Sequence, residues 1–349
     1  MMKKEKVLLA MSGGIDSSFS AFLLQKKGFE VIGITLKMWN SKNDDFIKDA
    51  KEVAKKLNFN HYVLDVIEKF EKEIIGNFIN EYMNARTPNP CVICNIKIKW
   101  DILLKEAKNL NCKYFATGHY AQIQNENDRF FIAKAIDEKK DQSYFLWGLS
   151  QEVLSKAIFP LGKYRKKEIL KIAKKEGFTE IVNKKESLDI CFIPDGNYRT
   201  FLKKNVKNFE KKIFKGNFID KNGKILGEHK GFPFYTIGQR KGLEVAVGYP
   251  LYVLKIDAKT NLITLGKREE LLKKTMFVGD FNILKYKNLN EKLEVTTKIR
   301  YRNKGILSEI EKIGDKIKVV FFEDNFAITK GQSAVFYEDN KVIGGGIIL

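Results

Sequence analysis

A glycine-rich loop near the start of the chain has the residue types of an anion-binding site. Residues 12–17 read Ser-Gly-Gly-Ile-Asp-Ser, directly after a short apolar run and directly before a helical pattern. Two glycines permit a tight turn that brings backbone N–H groups against an anion, and the following helix N-terminus adds positive partial charge. Ser12 and Ser17 add hydroxyl donors, whereas Asp16 would repel a phosphate unless Mg²⁺ lies between them. The loop predicts a metal-bound nucleotide; the alternative is an ordinary strand–turn–helix junction capped by Ser and Asp.

The cysteines are the second set of residues that could do chemistry. The chain has four of them, Cys91, Cys94, Cys112 and Cys191. Two prolines precede the Cys-x-x-Cys pair, and we expect a helix to begin at Cys94 or Asn95. Because a helix N-terminus stabilises a thiolate, this start predicts a depressed pKa for the Cys94 thiol. The residues alone leave several roles open for the cysteines: catalysis, ligation of a cluster, part of a zinc site, a redox pair or inert burial. Inert burial is expected for Cys112.

Longer strings narrow these alternatives. The loop at residues 12–17 resembles that of the PP-loop ATP pyrophosphatases, in which it holds the pyrophosphate of ATP. Further strings resemble, in order through almost the whole chain, the bacterial tRNA-specific 2-thiouridylases: TPNPCVICNIKIKW, YFATGHYA, KDQSYFLWGL, ESLDICFI, YTIGQRKGL, GQSAVFY and IGGGII. So many strings in one order make this resemblance specific.

The resemblance implies a reaction and its partners. ATP with Mg²⁺ would adenylate the wobble uridine of a tRNA, pyrophosphate and then AMP would leave, and sulfur would replace the base oxygen. A sulfur donor protein of a cysteine desulfurase relay would load Cys191 as a persulfide. Cys94 would be the nucleophile, and a Cys94–Cys191 disulfide would remain. The substrates would be the tRNAs for Lys, Glu and Gln, read in a single-stranded loop. Because the two sulfurs must come within disulfide distance, we expect the segment around Cys191 to move when tRNA binds.

The resemblance also implies binding residues by position. The residues implied for ATP are Ala10, Met11, Ser12, Gly13, Gly14, Ile15, Asp16, Ser17, Leu36 and Gly118. The residues implied for tRNA are Asn89, Pro90, His119, Lys140, Asp141, Gln142, Arg300, Tyr301 and Gln332.

One position departs from the family pattern. Many members have Asp where this chain has Cys91, so the usual Asp-x-x-Cys becomes Cys-x-x-Cys. The change places a third thiol beside Cys94 and Cys191. Three cysteines with one open iron position are plausible ligands of a [4Fe–4S] cluster. A persulfide route and a cluster route therefore both stay open.

Alternating patterns predict the elements that must position these residues. Strands are expected at 6–10, 31–36, 61–65 and 113–117, and helices at about 18–27, 44–57, 68–82 and 96–110. Strands separated by helices predict a parallel sheet, and the resemblance implies an adenine nucleotide alpha-hydrolase-like PP-loop fold. Residues 142–204 are expected to be mostly helical.

A change of pattern after residue 211 predicts β structure. A turn at Asn222-Gly223 predicts a hairpin, and short alternating runs from residue 251 onward predict a β-barrel. The predicted organisation is a PP-loop ATP-binding catalytic domain at 1–207, a small β-rich tRNA-binding domain at 208–248 and a C-terminal β-barrel at 249–349.

Composition constrains the partners. The chain of 349 residues has 63 Lys and Arg against 43 Asp and Glu, a formal net charge of +20. Such an excess favours a polyanionic partner such as tRNA, although a lysine-rich proteome would also produce it. No apolar stretch is long enough for a membrane span, and the start lacks a signal-peptide core, so we expect a cytoplasmic protein. The rival functions are a PP-loop amide-forming synthetase for a small molecule and a non-enzymatic RNA-binding protein.

Overall fold

The computed structural model describes residues 4–40, 44–182 and 190–349. Its strands are β1 (Lys6–Ala10), β2 (Glu30–Lys37), β3 (His61–Asp65), β4 (Tyr114–Ala116), β5 (Ala121–Glu126), β6 (Arg129–Lys134), β7 (Ala157–Ile158), β8 (Gly216–Ile219), β9 (Ile225–His229), β10 (Tyr252–Asp257), β11 (Leu262–Gly266), β12 (Leu272–Ile283), β13 (Leu293–Lys298), β14 (Ile306–Ile313), β15 (Lys316–Phe326), β16 (Ser333–Glu338) and β17 (Lys341–Ile348).

Its helices are α1 (Ile15–Lys26), α2 (Asp45–Lys56), α3 (Ile67–Phe70), α4 (Gly76–Met83), α5 (Pro90–Cys94), α6 (Trp100–Asn109), α7 (Gln151–Lys156), α8 (Lys166–Lys175), α9 (Thr179–Val182), α10 (Tyr198–Asn205) and α11 (Phe209–Lys212). Two π-helical turns, Glu71–Ile75 and Asn95–Lys99, join α3 to α4 and α5 to α6.

The N-terminal part is built on a parallel sheet in the order β3-β2-β1-β4-β7. The central strand β1 is buried on both faces. Val7 and Leu9 pack in one cluster with Phe19 of α1, whereas Leu8 packs in the other with Leu103 of α6. Because helices cover both faces, the loops at the carboxyl ends of the strands form the open edge where ligands bind in such sheets.

A β-hairpin links this part to the C-terminal barrel. Strands β12, β15, β14, β13, β16 and β17 pair in that order, and β17 pairs back with β12, so the sheet closes into a six-stranded barrel. The hairpin β5–β6, from the N-terminal part, adds to the outside of β17 through the pair Ala133 and Lys341. The predicted C-terminal barrel is confirmed, whereas the β5–β6 hairpin was not predicted.

The middle sheet has the order β10-β11-β8-β9. Its β8–β9 hairpin turns at Gly223, which has φ +85°, as the Asn-Gly pair predicts. Strands β10 and β11 belong to this sheet because β11 pairs with β8. The limits drawn at residues 207 and 248 stay predictions, and this pairing favours a second limit beyond Gly266.

Two observations concern the described residues alone. None of the helices in the described ranges is long and apolar enough to cross a membrane. The first four residues of the ESLDICFI string, 186–189, lie outside the described residues, and the predicted movement of the segment before Cys191 therefore stays untested.

Candidate active site

The glycine-rich loop connects β1 to α1 and leaves a helix start open to a ligand. Gly13 has φ +71°, and a Cβ there would lie 2.4 Å from the Phe46 carbonyl oxygen, so only glycine fits against α2. The Ser17 hydroxyl accepts from the Ser12 backbone N–H at 3.1 Å and donates to the Gly14 carbonyl at 3.1 Å. The N-cap residue of α1 is Gly14, which has no side chain to cap the helix. The N–H groups of the first turn of α1 are therefore available to bind an anion in the loop.

Asp16 is held by two neighbours in this loop. Its Oδ1 accepts from the Tyr120 hydroxyl at 2.7 Å and from the Lys166 ammonium at 2.7 Å. The Lys166 side chain is only 9% exposed, so the ion pair is shielded from water on one side. The ammonium compensates the Asp16 charge beside the anion site, a function that sequence reasoning assigned to Mg²⁺ alone.

Gly118 and His119 connect the loop to the cysteines. A Cβ on Gly118 would lie 2.9 Å from the Ser17 backbone nitrogen, so β4 ends directly against the first turn of α1. Next to it, His119 Nδ1 is 2.6 Å from the Thr117 hydroxyl, and its ring lies 6.1 Å from that of Trp100. Burial and the Lys99 ammonium lower the pKa of His119 to about 3. His119 is therefore neutral at physiological pH.

Three thiols lie within the electrostatic reach of one ammonium group, that of Lys99. The Lys99 ammonium acts electrostatically on Cys91, Cys94 and Cys191. Cys91 acts on both Cys94 and Cys191, and Cys94 acts on Cys191, so Cys191 lies within electrostatic reach of the end of α5 although it is remote in sequence. All are free thiols. Cys112, bonded to the Leu110 carbonyl, is buried elsewhere, as expected.

The predicted depression of the Cys94 pKa is wrong. The helix begins at Pro90 with Asn89 as its N-cap, so Cys94 lies at the end of the first turn rather than at the helix start. Burial raises the pKa of the Cys94 thiol, the Lys99 ammonium opposes this effect, and Cys91 adds to it. Cys91 and Cys191 are exposed at the surface, yet the atoms packed around each thiol raise the pKa of Cys91, and that of Cys191 to about 12. Desolvation outweighs both the helix dipole and the nearby cation.

Several residues predicted to bind tRNA converge around Tyr144, which was not predicted individually. The buried Tyr144 hydroxyl donates to the Ser333 carbonyl at 2.8 Å and lies within hydrogen-bonding reach of the Asn89 side chain. Arg300 acts electrostatically on Tyr144 and donates to the Ala327 carbonyl at 2.6 Å. The Tyr301 ring lies 6.2 Å from that of Tyr144.

The other residues predicted to bind tRNA have contacts within the protein. Asp141 is buried and accepts from the Ala135 N–H at 3.0 Å and the Ser143 hydroxyl at 2.8 Å. The Gln142 side chain accepts from the Tyr120 N–H at 2.9 Å. Lys140 is partly exposed. Direct tRNA contact by these residues stays a prediction.

The remaining predicted ATP residues occupy the sheet edge. Ala10 ends β1, and the Met11 backbone bonds the Ile34 carbonyl of β2 at 2.8 Å. Leu36 lies near the carboxyl end of β2 and is buried. These positions border the open edge next to Gly14 and Ile15.

Sequence reasoning missed four residues of the site. Tyr120, Tyr144 and Lys99 lie inside the strings YFATGHYA, KDQSYFLWGL and TPNPCVICNIKIKW, but no individual role was assigned to them. Lys166 begins the basic helix α8 and is buried. Its burial depends on tertiary packing, which the sequence of the helix does not show.

The described part of the chain shows no preformed site for a single metal ion. Within residues 4–40, 44–182 and 190–349, no three His, Cys, Asp or Glu side chains are arranged to hold a metal ion. A cluster on Cys91, Cys94 and Cys191 stays a prediction.

Comparisons with known proteins cover the whole chain. Family models match residues 5–195, described as a tRNA methyl transferase HUP domain, residues 199–267, described as a tRNA methyl transferase PRC-barrel domain, and residues 273–348, described as an aminomethyltransferase beta-barrel domain. The match at 199–267 includes β10 and β11, in agreement with the pairing of the middle sheet.

Curated relatives match over their full length. The tRNA-specific 2-thiouridylase MnmA of Cytophaga hutchinsonii is 48% identical over 361 residues, covering 100% of this chain and 98% of that protein. The protein of the same name from Amoebophilus asiaticus is 49% identical over 360 residues, covering 99% and 96%. A solved 4-thiouridine synthetase–RNA complex with bound ATP is 19% identical, with a TM-score of 0.39, over 57% of this chain and 50% of that one. That last likeness is too low to support an inference.

Proposed function

The chain belongs to the tRNA-specific 2-thiouridylase family, and from that premise we propose that it uses ATP to replace the 2-oxygen of a tRNA uridine with sulfur. The observation that carries the proposal is the pair Gly118 and His119. Gly118 packs on the first turn of α1, where phosphates would bind, and His119 lies near Lys99, which acts on three thiols. We infer that one continuous site would combine an anion-binding helix start with the cysteines that carry sulfur.

The description of the family models as methyl transferases names a different group transfer. We favour thiolation for two reasons. The relatives that match from end to end, at 44–49% identity, carry the thiouridylase name. The site also brings together three thiols, and sulfur transfer through a persulfide requires two of them.

Activation would take place at the loop. The uridine O2 attacks the α-phosphate of ATP, the bond between the α- and β-phosphates breaks, and pyrophosphate leaves. The N–H groups at the start of α1 and the Lys166–Asp16 pair would orient the leaving phosphates. Mg²⁺, which fits a site with one carboxylate and bound phosphates, would be held by ATP and Asp16 and would neutralise charge on the leaving group.

Sulfur transfer would follow at the cysteines. Cys191 enters the reaction as a persulfide loaded by a sulfur donor protein. Either its outer sulfur attacks C2 directly, or Cys94 attacks the inner sulfur of Cys191 and releases sulfide, which attacks C2. AMP leaves with the original oxygen. In the first case Cys94 then attacks the Cys191 sulfur, so that the S–S bond breaks and the transferred sulfur stays on C2. In both cases a Cys94–Cys191 disulfide forms, which a reductant must reopen before the next turnover.

The raised pKa of the Cys191 thiol is compatible with the persulfide route, because a persulfide is more acidic than a thiol and is ionised where the unloaded thiol is protonated. Lys99 would then stabilise the anion that forms. We propose that Cys91, at the usual Asp position, borders the target base with Asn89 and Pro90.

A thiolation assay tests the proposal. The purified protein is incubated with ATP, Mg²⁺, a persulfide donor and tRNA in air, and 2-thiouridine is measured by mass spectrometry of the nucleosides. We expect product that depends on ATP, and none from Cys94→Ser or Cys191→Ser. Cys112→Ser is the matched control, because it removes a buried thiol outside the site, and it should keep full activity. Product from both site variants would refute the assigned roles.

Two further arms separate the remaining alternatives. If AMP and pyrophosphate form without tRNA when amines and carboxylates are supplied, the chain is a small-molecule synthetase instead. If product forms only anaerobically after iron reconstitution and Cys91→Ser abolishes it, a cluster carries the sulfur. We further propose that the acceptors are the wobble uridines of the tRNAs for Lys, Glu and Gln, which retardation of each purified tRNA in an organomercury gel would test.

A further inference from the structure

A turn of the C-terminal barrel lies against the segment that precedes the catalytic helix. The Thr87 N–H donates to the Lys330 carbonyl at 2.9 Å. The Gln332 side-chain Nε2 donates to the carbonyls of both Thr87 and Pro88, at 3.0 Å each. Gly331 has φ +88°, and a Cβ there would lie 2.9 Å from the Thr87 oxygen, so the two segments touch through backbone.

A second contact holds the same segment one residue further along. The buried Tyr144 hydroxyl donates to the Ser333 carbonyl at 2.8 Å and lies within hydrogen-bonding reach of Asn89. The turn is itself anchored, because the Gly331 N–H donates to the Ile348 carbonyl and the Ile348 N–H donates to the Gln332 carbonyl, at 2.9 and 2.8 Å. Hydrogen bonds therefore connect residues 330–333 both to β17 and to the segment before α5.

The chemistry of the supported segment explains why it needs an outside donor. Pro88 and Pro90 have no N–H and fixed φ angles, so backbone bonding within residues 87–90 is restricted. The first helical bond of α5 runs from Ile93 to the Asn89 carbonyl, which leaves the carbonyls of Thr87 and Pro88 ahead of the helix. Partly buried carbonyls need donors. The single amide group of Gln332 supplies both.

We propose that Gln332 is a positioning residue that sets the location of Asn89, Pro90 and Cys91 through the two carbonyls before them. This role differs from the direct tRNA contact that the family resemblance implies, because the donor side of the amide is already committed to the segment. It rests on the proposed thiolation. The barrel then contributes to the chemical step, besides any grip on the tRNA body.

The role predicts a particular kinetic signature. A displacement of about 1 Å in a positioned group can reduce the rate about 100-fold. Gln332→Met keeps the size of the side chain and removes both donors, so we expect kcat to fall about 10- to 100-fold. The KM values for tRNA and ATP should stay within about twofold, because neither ligand loses a contact.

Asn282 provides a matched control. Its Nδ2 on β12 donates to the carbonyls of Trp147 and Leu149, both at 2.9 Å, so it also joins the barrel to the N-terminal part through one amide and two carbonyls. These carbonyls lie outside the segment before α5. Asn282→Leu should therefore reduce the melting temperature about as much as Gln332→Met but keep kcat.

The experiment compares kcat, KM for tRNA and melting temperature for both variants, together with the rate at which iodoacetamide alkylates Cys91. The proposal expects a kcat loss and an altered Cys91 alkylation rate in Gln332→Met alone. A raised KM for tRNA with unchanged kcat would overturn the positioning role in favour of direct tRNA contact. Equal kcat losses in both variants would also overturn it, because Gln332 would then act only by joining the barrel to the N-terminal part. If the unsubstituted chain does not thiolate tRNA, the proposed function fails, and an unchanged Cys91 alkylation rate would still overturn the positioning role.

Discussion

Replacing Gly118 by Ala tests whether the first turn of α1 binds the phosphates of ATP. The new Cβ would lie 2.9 Å from the Ser17 nitrogen, 3.0 Å from the Asp16 carbonyl carbon and 3.2 Å from its oxygen. All three atoms are backbone, so the clash cannot be relieved by a side-chain rotation. The methyl group would push the turn away from β4 and cover the Ser17 N–H.

The magnitude follows from the two effects of that methyl group. Overpacking of this kind destabilises a fold by about 1–3 kcal/mol, and about 2–4 °C of melting temperature is lost per kcal/mol in a domain of this size. Loss of one preorganised donor to a developing charge reduces rates about 100- to 1000-fold. We therefore expect a modest loss of melting temperature with a fall of about 100-fold in kcat/KM for ATP.

The assay is tRNA-dependent pyrophosphate release at varied ATP concentration, well below the melting temperature. Gly216→Ala is the control, because its Cβ would lie 2.3 Å from the Asn261 carbonyl oxygen in the middle sheet, remote from the loop. It should reduce the melting temperature without changing the ATP kinetics. If Gly118→Ala also leaves the ATP kinetics unchanged, the first turn of α1 does not bind the phosphates.

Three other predictions concern charge. Lys166→Met removes the cation that compensates the charge of Asp16 beside the phosphates. Since a hydrogen bond to a charged group contributes about 1.5–3 kcal/mol, KM for ATP should rise about 10- to 100-fold. An unchanged KM for ATP would contradict the role assigned to Lys166. The pKa of His119 is about 3 in the folded chain and 6.5 in the unfolded chain. Between pH 3 and pH 6.5 only the unfolded chain binds a proton at His119, so the free energy of unfolding falls as pH falls. Urea unfolding should show up to about 2 kcal/mol more loss from pH 7 to pH 5 than in His119→Gln, and equal losses would argue against a buried neutral ring. Because the pKa of Cys191 is about 12, its alkylation at pH 8 should be roughly 30- to 100-fold slower than that of a small free thiol, which timed mass spectrometry can measure.

The elements around the loop are predictable because each depends on local pattern. Lys6–Ala10 and His61–Asp65 have the bounds that the sequence predicts. The start of α5 was also readable, because Pro is favoured at the first helical position and Asn at the N-cap. The prediction of a start at Cys94 or Asn95 is wrong although the sequence contains the signals for the correct start at Pro90.

Other features were hidden because they depend on distant parts of the chain. The β5–β6 hairpin turns at Asn127 and Asp128, which both have positive φ, a pair typical of tight hairpins. One side of β5 is polar, with Gln122, Gln124 and Glu126. The hairpin pairs through β6 with β17, which is remote in sequence. The raised thiol pKa values are equally non-local, because desolvation of Cys94 depends on everything packed around it.

The position of β17 has a consequence for the making of the protein. This strand pairs with β16, β12 and β6, and the ion pair between Lys341 and Glu126 spans 215 positions. At roughly 5–20 residues per second, synthesis reaches Lys341 about 10–40 s after Glu126. During that interval the edge of the β5–β6 hairpin has unpaired backbone N–H and C=O groups, which can pair with strands of other chains. Until β17 is synthesised, the edge of β6 therefore has no partner strand from its own chain.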